Sequence, residues 1–321
     1  MSFSSDVKDE LSRQLSAPMH CKIAELAAII SFCGRMNCLE DGRIVLKIHT
    51  ENLAVARKYF TLLRKTFNIS SDMTIRRNMK QKKSWTYILA VNDDHMARKV
   101  LSAVKFINHE GELTGDGSVV SSVIMQNNCC KRAFLRGSFM AGGSMSDPSK
   151  TYHFEIVCMN EEKARQIQSI MNVFELDAKI IMRKKYFVVY IKEGTQIVDM
   201  LNIMEAHISL MELENIRILK EMRNSINRRV NCETANINKT VSAAVKQVED
   251  IQYIKNTVGF RDLSDGLVEI ANLRLEYPDA SLVELGRMLS TPVGKSGVNH
   301  RLKKLSDRAC ELRKRHSNLD E

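Results

Sequence analysis

Residues 133–148 read AFLRGSFMAGGSMSDP, an apolar helix that runs into two glycines and a polar turn. The small side chains at Gly137, Ala141 and Gly142 allow another backbone to approach this helix closely. Asp147 precedes a proline, a position where aspartate favours a turn or a helix cap. We therefore expect the helix to pack against a partner helix and to end near residue 143.

The partner helix is predicted from an internal repeat. A shift of 108 residues aligns 21–65 with 129–173 without a gap, and each copy then contains an apolar helix ending at glycine, a strand, a second helix and paired strands. Identical pairs are Cys21 and Cys129, Gly34 and Gly142, Ile48 and Ile156, Asn52 and Asn160, Ala56 and Ala164, and Arg57 and Arg165. The shared order of elements favours a duplicated α/β domain over chance similarity.

Basic residues are in excess, with 48 Lys and Arg against 38 Asp and Glu, which favours a polyanionic partner. Residues 57–83 alone hold nine basic side chains and one acidic one. Both copies place basic residues at the turn of a strand hairpin, where they can contact DNA phosphates. The predicted contacts are Arg76, Arg77, Lys80, Lys82, Lys83, Arg183 and Lys184. A charged hairpin that only faces solvent is the alternative.

The last hundred residues have helical rather than strand periodicity. One helix ends before Pro278, a second starts at Asp279 or Ser281, and a third buries Val298, Leu302, Leu305 and Ala309. A helix-turn-helix inserts its second helix into the major groove. We predict phosphate contacts from Arg287, Arg301 and Lys304, and base contacts from Lys295, Ser296, Asn299, His300 and Lys303. An ordinary basic three-helix bundle is the alternative.

The glycine-ended helix resembles the motif of LAGLIDADG homing endonucleases, in which two such helices pack at a pseudo-two-fold axis. The matching residues are Leu135, Gly137, Ala141 and Gly143. In that family the penultimate motif residue is a metal-binding acid, and the positions assigned to it here are Gly142 and, in the first copy, Gly34. Because glycine has no side-chain oxygen to hold a divalent ion, an active metal-dependent endonuclease is disfavoured.

No cofactor or metal site is predicted. The cysteines form no CxxC pair and the histidines form no HExxH motif, so we expect the cysteines to be mostly small core residues. The segment VGKS at 293–296 lacks the first glycine of a phosphate-binding loop, because Leu289 occupies that position. Without a secretory or membrane-spanning segment, a cytoplasmic protein is expected.

Four motifs in order resemble the WhiA family of bacterial DNA-binding proteins. They are SFSSDVKDEL at 2–11, AFLRGSFMAGGSMSDP at 133–148, NRRVNCETANINKT at 227–240 and VGKSGVNHRLKKLSDRA at 293–309. The resemblance implies an α+β fold, with a duplicated, degenerate LAGLIDADG-like domain followed by an all-α helix-turn-helix domain similar to that of sigma factors. It also implies a non-enzymatic, nucleoid-associated regulator of transcription, cell division and chromosome segregation, and of sporulation in spore formers, with double-stranded DNA as partner. The alternative is a scaffold that binds RNA polymerase or another regulator.

The predicted organisation has five segments. They are a first repeat with an N-terminal helix at 1–100, a connector at 101–127, a second repeat at 128–215, a helical linker at 216–258 and the helix-turn-helix domain at 259–321. Within the helical linker, residues 227–251 are interpreted as a polar linker followed by a helix.

Overall fold

The structure is a computed structural model that describes residues 2–77, 85–115 and 117–317. The chain forms two compact units, 1–221 and 222–321. Their boundary falls within the segment 216–258. Within the described ranges, no helix is both long enough and apolar enough to cross a bilayer.

The first unit begins with helix α1 (Phe3–Arg13) and continues with two repeats of one plan. The first repeat consists of α2 (Met19–Cys33), β1 (Gly34–Cys38), β2 (Ile44–Thr50), α3 (Leu53–Phe67), β3 (Asp72–Arg77), β4 (Trp85–Val91) and α4 (Asp94–Ala103). The second repeat consists of α5 (Asn128–Gly142), β5 (Gly143–Met145), β6 (Phe154–Cys158), α6 (Glu161–Asn172), β7 (Lys179–Arg183), β8 (Tyr186–Ile191) and α7 (Gly194–Met204). A short 3-10 helix, Ser122–Met125, precedes α5.

Each repeat has one four-stranded antiparallel sheet, in the order β1-β2-β4-β3 or β5-β6-β8-β7. Alternate side chains of a strand lie on opposite faces. In β2, Ile44, Leu46 and Ile48 are buried on the face that packs into the common core of this unit, whereas Lys47 and His49 lie on the other face. We call the face of each sheet that is turned away from this core its outer face.

Two asparagines at equivalent positions explain one of the identities between the repeats. Asn52 caps α3 by accepting a hydrogen bond from the backbone N–H of Ala54 at 2.8 Å. Asn160 caps α6 by accepting one from Lys163 at 3.0 Å. Each such cap contributes about 1 kcal/mol to helix stability, because it satisfies an otherwise unpaired N–H group.

Helices α2 and α5 pack closely against each other at Gly137. A Cβ atom at this position would lie 2.6 Å from the carbonyl oxygen of Glu25 and 2.8 Å from the Cβ of Ala28. Any larger side chain would force the helices apart. The predicted packing role of Gly137 is confirmed.

In the structure, the central helices of the two repeats correspond with a shift of one residue relative to the gapless sequence alignment. Gly34 pairs with Ile48 across β1 and β2, and Gly143 pairs with Ile156 across β5 and β6. The isoleucines differ by 108 in number but the glycines by 109, because the second repeat has one residue fewer between its central helix and its second strand. The prediction that Gly34 corresponds to Gly142 is therefore wrong.

A buried ionic network links the repeats. Glu25 of α2 lies 2.9 Å from the ammonium of Lys58 in α3 and 3.0 Å from the guanidinium of Arg136 in α5. Arg136 also contacts Glu205, at 2.9 Å. The Glu25, Lys58 and Arg136 side chains are at most 1% exposed. Lys58 therefore adds nothing to the surface charge of residues 57–83.

Helix α8 (His207–Thr257) is continuous through residues 227–240. The segment 227–251, interpreted from the sequence as a polar linker followed by a helix, is helical throughout. No glycine or proline occurs between His207 and Thr257, so nothing in the sequence interrupts the helix. The polar side chains of this stretch are exposed to solvent instead.

The second unit also contains α9 (Asp265–Glu276), α10 (Leu282–Met288) and α11 (Lys295–Ser317). Apolar side chains from all three helices form a separate small core, in which Ile270, Leu285 and Val298 are completely buried. Two isoleucines near the end of α8, Ile251 and Ile254, join it.

Candidate nucleic-acid interface

Helices α10 and α11 are joined by a turn that packs against α10. Ser281 caps α10 in a capping box, since its backbone N–H donates to the carboxylate of Glu284 at 2.7 Å and its hydroxyl accepts from the backbone N–H of Glu284 at 3.3 Å. The cap is therefore Ser281 and not Asp279. A Cβ on Gly286 would lie 2.3 Å from the carbonyl oxygen of Val293. Only glycine at 286 lets the turn pack this closely.

Helix α11 has a buried side and an exposed side. The four residues predicted for burial, Val298, Leu302, Leu305 and Ala309, are at most 1% exposed, which confirms that prediction. Residues of an α-helix are about 100° apart around its axis, which puts Ser296, His300 and Lys303 opposite this buried side. All three are exposed, and Lys304 borders them. We call these four residues the outer stripe of α11.

Other predicted contacts of this domain lie beside the outer stripe. Lys295 and Asn299 are exposed but line a cavity of about 540 Å³ together with part of α8 and the connection from α9 to α10. Arg301 lies on the opposite edge, where it is half-buried and donates to the carbonyl oxygen of Gly266 in α9 at 3.5 Å. Arg287 is exposed on α10. Ser296 therefore belongs to the outer stripe, whereas the Arg301 side chain points toward α9 of the same domain.

The outer face of the first sheet carries three cations. Arg35 pairs with Lys47 across β1 and β2, and Arg76 of β3 lies on the same face by the register of the strands. Burial, followed by the charges of Arg35, Lys47 and Arg76, lowers the pKa of His49, which lies among them. Within the described residues, none of these three cations forms an ion pair. We call Arg35, Lys47, His49 and Arg76 the cationic face.

The two arginines predicted together at the first hairpin lie on opposite faces of the sheet. Arg76 belongs to the cationic face, whereas Arg77 is the next residue along β3 and points the other way, 5.9 Å from the ring centroid of Trp85. The predicted contacts Lys80, Lys82 and Lys83 lie outside the described residues.

The second sheet is not similarly cationic. Its outer face has Glu155 at the position that Lys47 occupies in the first repeat. Arg183 lies 3.6 Å from the Glu155 carboxylate, which also accepts from Ser144 at 2.9 Å. Lys184 is exposed in the hairpin turn with a φ of 57°. The predicted contact Arg183 therefore shares its charge with a neighbouring acid.

By the motif resemblance, the nuclease acids correspond to Gly142, the last residue of α5, and, once the one-residue shift is applied, to Cys33, the last residue of α2. The assignment of Gly34 is corrected to Cys33 by the one-residue difference between the repeats. A Cβ on Gly142 would lie 2.5 Å from the ring of Phe32. The ammonium of Lys163 lies 3.8 Å from the centroid of the same ring, so a cation already occupies this region.

The remaining chemistry around these positions also opposes a divalent ion. Burial raises the pKa of Cys33 to about 11, and this thiol belongs to no group of metal-ligating side chains among the described residues. Asp147 stabilises a turn, as predicted, because its carboxylate accepts a hydrogen bond from the backbone N–H of Ser149 at 2.9 Å. In the part of the chain that the structure describes, no group of three or more His, Cys, Asp or Glu side chains that could share an ion lies here.

Three members of the cationic face, Arg35, Lys47 and His49, are absent from the sequence-based prediction. The signal for Lys47 and His49 is the alternation in IVLKIHT, residues 44–50, which puts both on the polar face of β2. Arg35 has no such signal, because the short strand β1 follows directly after the helix.

Comparisons with known proteins cover nearly the whole chain. The family models that match are the WhiA N-terminal LAGLIDADG-like domain at residues 19–107, the WhiA LAGLIDADG-like domain at 131–223 and the WhiA C-terminal HTH domain at 226–309. A protein of Lachnoclostridium phytofermentans named "Probable cell division protein WhiA" is 57% identical, over 98% of this chain and 100% of that protein. A protein of Alkaliphilus oremlandii with the same name is 49% identical, over 97% and 98%.

A solved structure supports the fold independently. The full-length DUF199/WhiA protein from Thermatoga maritima matches with a TM-score of 0.60 at 24% identity, over 97% of this chain and 99% of that one. The predicted fold class, a duplicated LAGLIDADG-like domain followed by a helix-turn-helix domain, is confirmed.

Proposed function

Because the chain belongs to the WhiA family, we propose that it is a non-enzymatic DNA-binding protein that selects its sites by sequence and regulates transcription. Its curated relatives are named as probable cell division proteins, so we assign the regulation to cell division. The family resemblance extends this proposal to chromosome segregation and, in spore formers, to sporulation. The proposed location is the nucleoid in the cytoplasm. Double-stranded DNA is the main partner, with RNA polymerase or another regulator as a second.

The outer stripe of α11 carries this proposal. Its exposed hydroxyl, imidazole and ammonium groups lie along the second helix of a helix-turn-helix, the helix that enters the major groove in such domains. Ser296 and His300 lie near its start, where side chains meet base edges. Lys303 follows one turn later and is proposed to reach a base edge, whereas Lys304 supplies positive charge for phosphates.

We expect His300→Ala to reduce preference for the best binding site over random DNA by roughly 5- to 150-fold, since one good base contact contributes about 1–3 kcal/mol of discrimination. Asn299→Ala is expected to act in the same direction, but less, because Asn299 lies at the edge of the outer stripe. Lys304→Ala is expected to weaken binding to both DNAs almost equally, as the loss of a phosphate contact does.

The binding affinity of each variant is measured for a site selected from a random duplex pool and for a scrambled duplex, at one fixed salt concentration. Arg301→Ala is the matched control on the same helix, because Arg301 bonds within its own domain. Equal ratios of specific to random binding for His300→Ala and Lys304→Ala would mean that α11 does not read sequence.

We expect the purified chain to bind duplex DNA and leave it intact in magnesium or manganese. Phe32, Lys163 and the Cys33 thiol support this expectation, because they occupy the region where the related nucleases hold metal-binding carboxylates. Duplex DNA of the selected site is incubated with each ion, and strand breaks are counted on a denaturing gel. Cleavage that copurifies with the chain and stops on chelation would contradict the non-enzymatic proposal.

A second candidate function is a protein-binding scaffold held on DNA by the helix-turn-helix. The observation that favours it is a set of large apolar side chains exposed along α8: Ile218, Leu219, Met222, Ile226, Val230, Ile237, Val241 and Val245. Surfaces of this kind often bind other proteins. Under this function, the exposed apolar side chains of α8 contact a protein, and the cationic face is not needed for DNA affinity.

A further inference from the structure

Four metal-ligating side chains come together where α2 and α5 begin. His20 and Cys21 lie on the first turn of α2, and Cys129 and Cys130 lie on the first turn of α5. The ligating atoms of all four lie within 4.8 Å of one another, and no other such group occurs in the described ranges. This cluster is at the opposite end of the two helices from Cys33 and Gly142, about 20 Å away at 1.5 Å per helical residue. It is therefore separate from the degenerate nuclease positions.

The distances in the cluster suit one tetrahedral ion. The Nδ1 atom of His20 lies 3.1 Å from the Sγ of Cys130, 3.4 Å from that of Cys21 and 3.9 Å from that of Cys129. Tetrahedral zinc bonds of about 2.3 Å to sulfur and about 2.0 Å to nitrogen separate neighbouring ligand atoms by about 3.5–3.8 Å. The three observed nitrogen–sulfur separations lie on either side of the lower value, which applies to such a pair, and all four ligand atoms are close enough to share one ion.

The cluster also follows the pseudo-two-fold symmetry of the domain. With the helix offset of 109, His20 corresponds to Cys129 and Cys21 to Cys130. In each helix the first ligand is exposed and the second is buried. The side chains of adjacent residues on one helix normally point in different directions. Here the two directions lie on either side of the seam between α2 and α5, so both side chains reach the same position. Each repeat thus contributes an equivalent pair of ligands to one central position.

Both helix starts favour an anionic centre. Neither α2 nor α5 has a side-chain cap, and neither has an acidic residue in its first turn. The unpaired N–H groups of a helix N-terminus carry a partial positive charge. One divalent ion with three thiolates and one neutral imidazole has a net charge of −1. Two helix N-termini beside it offset this charge.

We propose that His20, Cys21, Cys129 and Cys130 bind one Zn²⁺ ion and thereby join the two repeats at the N-terminal ends of their central helices. Thiolate and imidazole are the ligands of structural zinc, and four protein ligands leave no open position for catalysis. The site is therefore structural. The sequence motifs for zinc do not reveal it, because its ligands are two adjacent pairs separated by more than a hundred residues.

The test is metal binding by the full chain, purified under reducing conditions without a histidine tag. Elemental analysis is expected to find about one zinc per chain. After removal of the metal, titration with Co²⁺ is expected to give the visible bands of a tetrahedral ion and a thiolate charge-transfer band. Chelation is expected to lower the Tm of the first unit, because an ion bound only by the folded state stabilises it.

Cys129→Ser is the decisive variant, since Cys129 is exposed and its loss does not disturb the core. Its metal affinity is expected to fall more than about 100-fold, because even partners that only support a ligand contribute about 10- to 100-fold. Cys310→Ser, an exposed cysteine outside the cluster, is the control and keeps full binding. Circular dichroism checks that both variants fold.

Three outcomes would overturn the proposal. The first is a reduced native chain that takes up neither zinc nor cobalt at micromolar concentration. The second is zinc retained by Cys129→Ser as well as by Cys310→Ser. The third is a disulfide within the cluster, detected by mass spectrometry as the loss of two hydrogens, in freshly purified chain that contains no metal. None of these results depends on whether the chain binds DNA.

Discussion

The free energy of unfolding of the Glu25→Ala variant is expected to lie about 3–5 kcal/mol below that of the native chain. The substitution removes the common partner of Lys58 and Arg136, which are both buried. Burial lowers the pKa of Lys58, and the Glu25 carboxylate opposes that shift. Without Glu25, Lys58 is driven toward its neutral form, and among the described residues Arg136 keeps only Glu205 as an ion-pair partner.

The unfolding measurement follows the fluorescence of Trp85, the single tryptophan, which lies in the first unit. Urea titration then reports this unit without a signal from the helix-turn-helix domain. Glu161→Ala is the control, because Glu161 forms an exposed ion pair with Arg165, which contributes little to stability. A loss for Glu25→Ala as small as that of the control would show that the network is not needed for stability.

We expect simultaneous replacement of Arg35, Lys47 and Arg76 by alanine to weaken DNA binding by about two orders of magnitude near physiological salt. Each lost phosphate contact lowers the salt dependence by about one unit of slope, so the slope is expected to fall by about three. The reason is that these cations share one face and have no carboxylate partner among the described residues. Affinity for specific and random duplexes is expected to fall together.

Arg77→Ala is the matched control for Arg76→Ala, because the two neighbours have the same charge on opposite faces of β3. Binding is measured over a series of salt concentrations for both single variants. Only Arg76→Ala is expected to lower the slope. If both variants, and the triple variant, bind as the native chain does, the cationic face does not contact DNA and the scaffold function is favoured.

Strand periodicity explains where the predicted arrangement of basic residues agrees with the structure and where it does not. The sequence indicates strands with basic residues, and the structure has them. A count of charges, however, treats Arg76 and Arg77 as one patch and includes Lys58, although alternation separates the arginines and the core contains the lysine. The α11 prediction is similar, since helical spacing identifies its buried side, whereas the contact of Arg301 with α9 depends on tertiary packing.

The internal repeat is visible in the sequence, but its detailed alignment is not. Identities in the strands and second helices determine an offset of 108, and a single missing residue before β6 changes it to 109 in the central helices. The short strands β1 and β5 lie at this point and have too few residues for a periodic signal. As a result, Cys21 is paired with Cys129 in the sequence alignment, whereas its structural counterpart is Cys130.

The packing of α2 against α5 also affects how the chain folds during translation. Translation at about 5–20 residues per second separates the synthesis of the two helices by roughly 5–20 s. During this interval Glu25 and Ala28 have no α5 to pack against. The first repeat therefore emerges from the ribosome with this surface of α2 exposed. On a polysome, that surface is open to chaperones and to α2 of a neighbouring nascent chain. Completion of the second repeat closes it.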